Sequence, residues 1–583
     1  MAPIDTLEQI KAMNEVFSFQ ELEDRVFMPG SKEYEASVAT SNLLYRFSRP
    51  YCVFLPQDVR DVERFVREAA LSTTKFNIVI KSGGHCYAGF STAYTGVLLD
   101  LAWMTRVDFD PPEGEPRPKP KSEPDAKSNT VAVAGGAQWG HVYKALVNSR
   151  QDGLMVNGGR CPTVGVSGFI LGGGLCPFSR SLGLGCDALK EATIVTADRG
   201  TVTVKRPEGS PPPWEEQTEE EKLFWALCGA GGGNFGVVVE LKLEVQQVNP
   251  TLVAGRFTWT TKLDDTFIAT MNKFYLYGWP DEATIDSTWL CDTKPTDDPA
   301  DTGIAVRFTV AYDGSKEDFD TLIDHFAKTL DGSADSSKKQ PELACKLKQR
   351  SCPEPSTLFL HESLVAQWSE ETARSMPSSG NSYSVYSSFV FKVPDKITTV
   401  TTTIRKWVGK FRSRFVGEQA GLHITWIHSG GKAAQGTRST SAFPWRHGTY
   451  VAYITIEWQD KWLSQEAEQF LEEFKKDLRP DSMDKVAAYV NFPDRKLREY
   501  ESAYYGENYK KLQKVKAYWD SGNLFRSPQG VRLPGGQTGS DTGEEIIDLA
   551  GHAGRLWEGP KWEPLPRKEG PVGIIRDLAD LGF

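Results

Sequence analysis

Clusters of basic residues are missing from this 583-residue chain, in which 67 Lys and Arg stand against 77 Asp and Glu for a formal net charge of −10 at pH 7. Nucleic acids and anionic membrane surfaces are held by clustered cations, so neither is an expected partner. No stretch approaches 18 uninterrupted apolar residues, and no membrane-spanning segment is expected. The opening run Met1-Ala2-Pro3-Ile4-Asp5-Thr6 has neither the basic region nor the apolar core of a secretory leader. An intracellular protein is expected, or a secreted one if a leader precedes this sequence. Usable Asn-x-Ser/Thr sites are wanting too, because Asn249 is followed by Pro250.

Cysteine is sparse: nine are scattered over the whole length, an odd number with no disulfide-framework spacing. Cys345 and Cys352 are close enough in sequence to pair in an oxidising compartment, but free thiols are the expectation. There is no His-Glu-x-x-His and no paired Cys-x-x-Cys, and no metal is expected. What remains is ordinary globular composition, 39% hydrophobic and 25% charged, on a chain too long for one core. Two domains are therefore expected.

Glycine is where the sequence becomes specific. Lys81-Ser82-Gly83-Gly84-His85-Cys86-Tyr87 follows the apolar run Asn77-Ile78-Val79-Ile80 and leads to Gly89. Gly158-Gly159-Arg160-Cys161-Pro162-Thr163-Val164-Gly165-Val166-Ser167-Gly168 is followed by Gly172-Gly173-Gly174. Each segment sets one nucleophile, His85 or Cys161, among residues of little bulk, where backbone N–H groups can approach a pyrophosphate. A third cluster, Gly231-Gly232-Gly233-Asn234-Phe235-Gly236, satisfies G-x-G-x-x-G, but a helical segment precedes it and the strand Val237–Leu243 follows. A Rossmann phosphate turn needs the reverse order, so this is expected to be a loop of another kind.

The first two segments resemble the flavin-attachment loops of the berberine bridge enzyme-like branch of the vanillyl-alcohol oxidase flavoproteins. The likeness continues in order through Tyr51–Ala70, Val97–Leu101, Ala134–Gly140, Leu223–Val239, Tyr489-Val490-Asn491 and Tyr504–Phe525. It implies an α+β, two-domain PCMH-type fold: an FAD-binding α/β domain over 1–250, completed by 481–530, and a substrate domain over 251–480 with an antiparallel sheet covered by helices. Residues 531–583 form an extension past the resemblance. Residues 111–128, rich in Pro, Lys, Glu and Ser, are expected to be an exposed insertion, and Pro207–Glu221 a second one.

By the same resemblance FAD is covalently bound twice, to His85 and to Cys161. Lys81, Ser82, Gly83, Gly84, Cys86, Gly89, Thr163, Val164, Gly165, Ser167, Gly168, Gly172, Gly173, Gly236, Val238, Tyr489 and Asn491 complete the expected cofactor-binding set. Imidazole and thiolate both qualify as nucleophiles near neutral pH. Val164 lies where the family has a residue beside the flavin, and a valine there leaves room for O2.

Hydride removal from an alcohol carbon is helped by a base within hydrogen-bond reach of the hydroxyl. Many relatives use a tyrosine closing Tyr-x-Asn-Tyr, but this chain has Tyr489-Val490-Asn491-Phe492, and a phenyl ring accepts no proton. Tyr453, on the strand segment Thr449–Trp458, is the expected replacement, with Tyr87 assisting; His428 is a third candidate. Lys81 stands where arginine is usual, Cys228 replaces an arginine, and Leu175 replaces an aromatic. Leu175 and Phe492 together suggest a less polar substrate face, although stacking on some of the 16 tryptophans could still serve a sugar.

The expected activity is that of an FAD-dependent oxidase acting on a small organic alcohol or on a C–H or C–N bond of a secondary metabolite. Hydride passes to flavin N5 and O2 is reduced to H2O2. A carbohydrate oxidase forming a lactone is the alternative, and a low-turnover flavin-binding protein a further one. The expected partners are a small-molecule substrate and O2, and the chain is expected to be a monomer.

Overall fold

The computed structural model describes residues 5–18, 22–110, 130–148, 153–293, 303–331, 340–360, 382–436 and 439–535. The insertion expected at 111–128 and the extension beyond 535 lie outside them. The stretch 531–535 does not stand apart from the fold: Val531 is buried and its N–H donates to Asn234 Oδ1 at 2.8 Å.

The flavin-side half opens as the sequence suggests. Strand Cys52–Phe54 leads into helix Val59–Leu71, which leads into strand Ile78–Lys81. Asp58 caps the helix by accepting the N–H groups of Arg60 and Asp61, and Val62, Phe65, Val66 and Ala69 form its buried stripe at helical spacing. Strand Val97–Asp100 lies between these two strands, parallel to both, and Val26–Phe27 closes the sheet antiparallel to Cys52–Phe54. A second, five-stranded antiparallel sheet has Val237–Glu244 at its centre, between Thr130–Ala134 and Leu189–Thr196.

The third sheet has seven strands, all antiparallel, in the spatial order Ser351–Pro355, Thr251–Lys262, Gly303–Tyr312, Ala283–Asp292, Ala420–His428, Tyr450–Trp458, Tyr383–Phe391. Side chains alternate faces along a strand. One face is apolar, with Phe257, Phe308, Trp289, Ile424 and Ile454 buried in a core shared with helices Asp265–Leu276, Ile397–Arg414 and Ser464–Leu478. The other face is apolar at one end, where Leu252, Ala254, Ile427 and Val451 join the flavin-side core, and polar where it lines a cleft with the glycine loops.

One expectation needs revision. Pro207–Glu221 is partly packed, because Trp214 meets Trp225 edge-on at 4.8 Å and Gln217 is buried. Cys345 and Cys352, near each other in sequence, fall on different elements, helix Glu342–Gln349 and the edge strand Ser351–Pro355, and both are free thiols as expected.

Candidate active site

The two glycine segments meet backbone to backbone. A Cβ on Gly83 would sit 2.2 Å from the Gly165 nitrogen, and one on Gly165 would sit 2.4 Å from the Gly83 nitrogen, so neither loop tolerates a side chain at the crossing. The crossing is pinned from behind, where Ser82 Oγ and Ser167 Oγ both donate to the Gly135 carbonyl, at 2.8 and 2.7 Å.

This contact delivers His85 and Cys161 to one place. Thr163 Oγ1 is 2.8 Å from His85 Nε2 and 3.3 Å from Cys161 Sγ, which puts these atoms of the two expected attachment residues within about 6 Å of each other. Burial pushes the His85 imidazole down to about 4, so the ring is neutral and its lone pair available at neutral pH. Cys161 is buried at 7% exposure.

A flavin nucleotide fits this arrangement. Both nucleophiles line the same cleft, the amides of Gly84 and His85 have no backbone partner among the described residues, and Gly168 faces space in which a Cβ would meet nothing within 4 Å. Several other expected cofactor residues also brace the loops. The Lys81 ammonium is committed to Asp100 at 3.1 Å and to the Ser37 carbonyl at 2.7 Å. Asn491 Nδ2 donates to the Phe169 carbonyl, while the Gly174 N–H donates to Tyr489 Oη, and a Cβ on Gly172 would strike Asn491 Oδ1 at 2.0 Å. Gly173 takes the left-handed backbone that this turn requires, with φ 108°.

The remaining members are held similarly. A Cβ on Gly89 would meet the Tyr45 ring at 2.6 Å, and Cys86, its thiol pushed up by burial, accepts the Gly89 N–H at its carbonyl. The Val238 side chain is buried in the core, and a Cβ on Gly236 would meet the Val195 carbonyl at 2.4 Å. The third glycine cluster links helix Glu219–Leu227 to strand Val237–Glu244, as its order in the sequence suggests, and Lys516 of helix Tyr509–Trp519 donates to the Asn234 carbonyl at 2.7 Å.

Across the cleft stands a cluster of rings. Tyr87 stacks on Tyr386 at 4.1 Å and lies near parallel to Phe492 at 5.7 Å, and Tyr453 lies 4.5 Å from Phe492 and 6.3 Å from Tyr87. The two expected bases thus share one wall with the phenylalanine that replaces the usual tyrosine. Ser388, opposite Tyr453 in the sheet register, fixes the Phe492 carbonyl at 2.9 Å. His428 is elsewhere: it is buried, stacked on Tyr450 at 4.8 Å, and its Nδ1 accepts the Ile285 N–H at 3.4 Å.

The expected apolar substrate face is corrected. Leu175 is a core residue 3% exposed and does not line the cleft, whose sheet wall carries Arg256, Arg307, Thr425, His423, Thr455 and Glu457. None of the 16 tryptophans lines the cleft among the described residues; the rings there are those of Tyr45, Tyr87, Tyr386 and Tyr453. The period-two polar alternation in strands 251–262, 303–312 and 420–428 is the signal that would have found this wall.

Fold and cleft define a two-domain PCMH-type flavoprotein. The family model for the FAD binding domain matches residues 50–205, and that described as berberine and berberine like matches 488–532. Reticuline oxidase from Papaver somniferum is 25% identical over 518 residues, covering 83% of this chain and 84% of that protein. Berberine bridge enzyme from Eschscholzia californica has the same fold with a TM-score of 0.70 at 20% identity, over 91% of this chain and all of that one. Chitooligosaccharide oxidase matches with a TM-score of 0.68 at 21% identity, over 90% of this chain and 99% of that one. The chain is an FAD-dependent oxidoreductase of the berberine bridge enzyme-like group.

Proposed function

We propose that the protein is an oxidase that holds FAD through both His85 and Cys161 and oxidises the alcohol carbon of a small, hydroxylated organic molecule, with O2 as electron acceptor. The observation that carries this is the placement of the two nucleophiles and Tyr453 on facing walls of one cleft. FAD, when bound, supplies the hydride acceptor at N5 and the route of electrons to O2.

The chain's own residues supply the rest. Tyr453 takes the substrate hydroxyl proton at its side-chain oxygen, and Tyr87, stacked on Tyr386, orients the substrate against that wall. Phe492 excludes water from beside Tyr453 by packing on its ring. Val164, which lines the cleft, leaves the small space that O2 requires. A carbohydrate oxidase is the second reading, favoured by the run of threonines, His423 and Glu457 on the sheet wall, which suits many hydroxyls.

The test is anaerobic bleaching of the purified holoprotein's flavin. One panel holds mono- and oligosaccharides, the other aromatic, polycyclic and allylic alcohols and amines. Bleaching by sugars alone makes the second reading the function, bleaching by the alcohols alone supports the first, and bleaching by amines alone overturns the alcohol chemistry. Silence from both panels favours the low-turnover flavin protein. Colour that leaves the protein entirely on acid precipitation would overturn the covalent linkage.

A further inference from the structure

Cys186 and Cys228 lie 42 residues apart in the chain and side by side in the fold. Cys186 is in the short helix Gly185–Ala188, and Cys228 closes helix Glu219–Leu227. Cys228 Sγ stands 3.9 Å from the Cys186 carbonyl oxygen, the two thiols hydrogen-bond each other, and both side chains are buried. Neither lines the cleft, and the proposed oxidation uses neither.

Charged groups surround the pair. Arg446 Nη2 reaches Cys186 Sγ at 3.8 Å while the same guanidinium group holds Asp187 at 2.6 Å, and Arg206 Nη2 donates to the Cys186 carbonyl at 2.8 Å. The hydrogen bond with Cys186, helped by Arg206 and Arg446, holds the Cys228 thiol below its usual value against burial and Asp187. The same bond, burial and Asp187 push Cys186 up. Thiolate character therefore gathers on Cys228, whereas burial pushes the thiols of Cys52 and Cys176 up. A thiolate beside cations is the form that reacts with an oxidant, and a second thiol in contact with it turns the first product into a disulfide.

Each sulfur sits on a different clamp of one loop. On one side the Cys186 N–H donates to the Gly173 carbonyl at 2.9 Å and the Gly185 N–H to the Gly174 carbonyl at 2.8 Å. On the other, the N–H groups of Gly229 and Gly231 both donate to the Leu171 carbonyl, at 2.9 and 2.8 Å. Residues 171–174, which carry the expected cofactor positions Gly172 and Gly173, are thus gripped by the two segments that the cysteines bring together.

We propose that Cys186 and Cys228 are a thiol pair that hydrogen peroxide oxidises to a disulfide, locking the two clamps on residues 171–174. The Cys228 thiolate attacks one peroxide oxygen, the O–O bond breaks, and the departing hydroxide takes a proton to become water, leaving Cys228 as a sulfenic acid. The Cys186 sulfur then attacks the Cys228 sulfur, the S–O bond breaks, and the second water leaves with the Cys186 proton. Two thiols and one peroxide give one disulfide and two waters. Joining residues 42 apart restricts the unfolded chain and so stabilises the folded one. The source of the peroxide rests on the proposed reduction of O2; the thiol chemistry does not.

The test uses the holoprotein, first reduced and freed of reductant, then exposed to hydrogen peroxide at millimolar concentration. A non-reducing peptide map read by mass should show the Cys186 and Cys228 peptides joined and lighter by two hydrogens, and dithiothreitol should separate them. The melting temperature should rise by several degrees on oxidation and fall back on reduction. Cys228→Ser should abolish both the joined peptide and the rise. Cys186→Ser should instead leave Cys228 as a sulfenic acid that dimedone traps. Flavin content confirms that each variant is folded.

Absence of the joined peptide while the exposed Cys352 thiol is oxidised, or a joined peptide with an unchanged melting temperature, would overturn the proposal. Dimedone trapping at Cys186 in Cys228→Ser, with none at Cys228 in Cys186→Ser, would overturn the assigned roles. A separate arm reduces the flavin with light and EDTA and reoxidises it in air, with and without catalase. Joining that catalase suppresses supports peroxide made by the protein itself. Joining by added peroxide alone would leave the thiol pair standing and count against reduction of O2 to peroxide.

Discussion

Thr163 Oγ1 stands 2.8 Å from His85 Nε2, and the same hydroxyl is 3.3 Å from Cys161 Sγ. One side chain therefore touches both proposed attachment residues. It engages one imidazole nitrogen and leaves the other to act.

Thr163→Val should slow flavin attachment about fivefold, the value of one neutral hydrogen bond near 1 kcal/mol. Thr163→Ser should restore it. The measurement is the time course over which added FAD becomes resistant to acid precipitation; equal rates in all three proteins would show that the hydroxyl does no positioning.

Tyr453→Phe should lower the anaerobic rate of flavin reduction by about 10²–10⁴-fold, the usual contribution of a general base, with the flavin spectrum unchanged. Tyr87→Phe should fall much less. A reduction rate untouched by Tyr453→Phe for every substrate would favour the low-turnover alternative.

Val164→Leu adds one methylene beside the cleft. Reoxidation of the reduced protein by O2, followed by stopped flow, should slow while the reductive half-reaction keeps its rate. Unaltered reoxidation would remove Val164 from the oxygen path.

Acid should weaken the fold through His428, whose imidazole burial, helped by Arg180 and Arg160, holds well below its usual value. In the unfolded chain the ring takes a proton near pH 6.5, so below that pH the unfolded state binds more protons and stability falls with pH. The slope is at most about 1.4 kcal/mol per pH unit from this group, and its contribution is complete above about pH 7. Melting temperature followed from about pH 8 to about pH 5 should show the fall. His428→Asn, whose carboxamide oxygen can accept the Ile285 N–H in place of Nδ1, should flatten it.

Asp286→Asn would leave the Arg160 guanidinium buried without its counterion. Breaking such a pair typically costs about 3–5 kcal/mol. Denaturant midpoints should fall accordingly, whereas a midpoint near that of the unaltered protein would mean that the Asn carboxamide suffices.

Much of the flavin side was legible in the sequence because its signals are local. Asp58 caps a helix whose apolar stripe is visible in one dimension, and the helix-before-strand order around Gly231–Gly236 ruled out a Rossmann turn. The meeting of Gly83 with Gly165 was not legible, since each glycine is explained only by the backbone of the other. Tyr453 and Tyr87, which both line the cleft, were singled out through a missing hydroxyl at Phe492. Tyr386, Arg256, Arg307 and His423 were missed because alternation tells that a strand has two faces and not which one meets the cofactor. Leu175 misled for the same reason: its neighbours in sequence line the site, while its own side chain is in the core.

Arg160 is joined to Cys161 by a peptide bond and to Asp286 by a 2.6 Å ion pair, and Asp286 belongs to the sheet that forms the substrate wall. The cofactor's proposed tether is thereby riveted to the opposite jaw of the cleft. The gap between flavin and substrate wall works as a gauge block set by that rivet, so a change in the twist of the sheet would alter the reacting distance even with every cleft-lining residue left as it is.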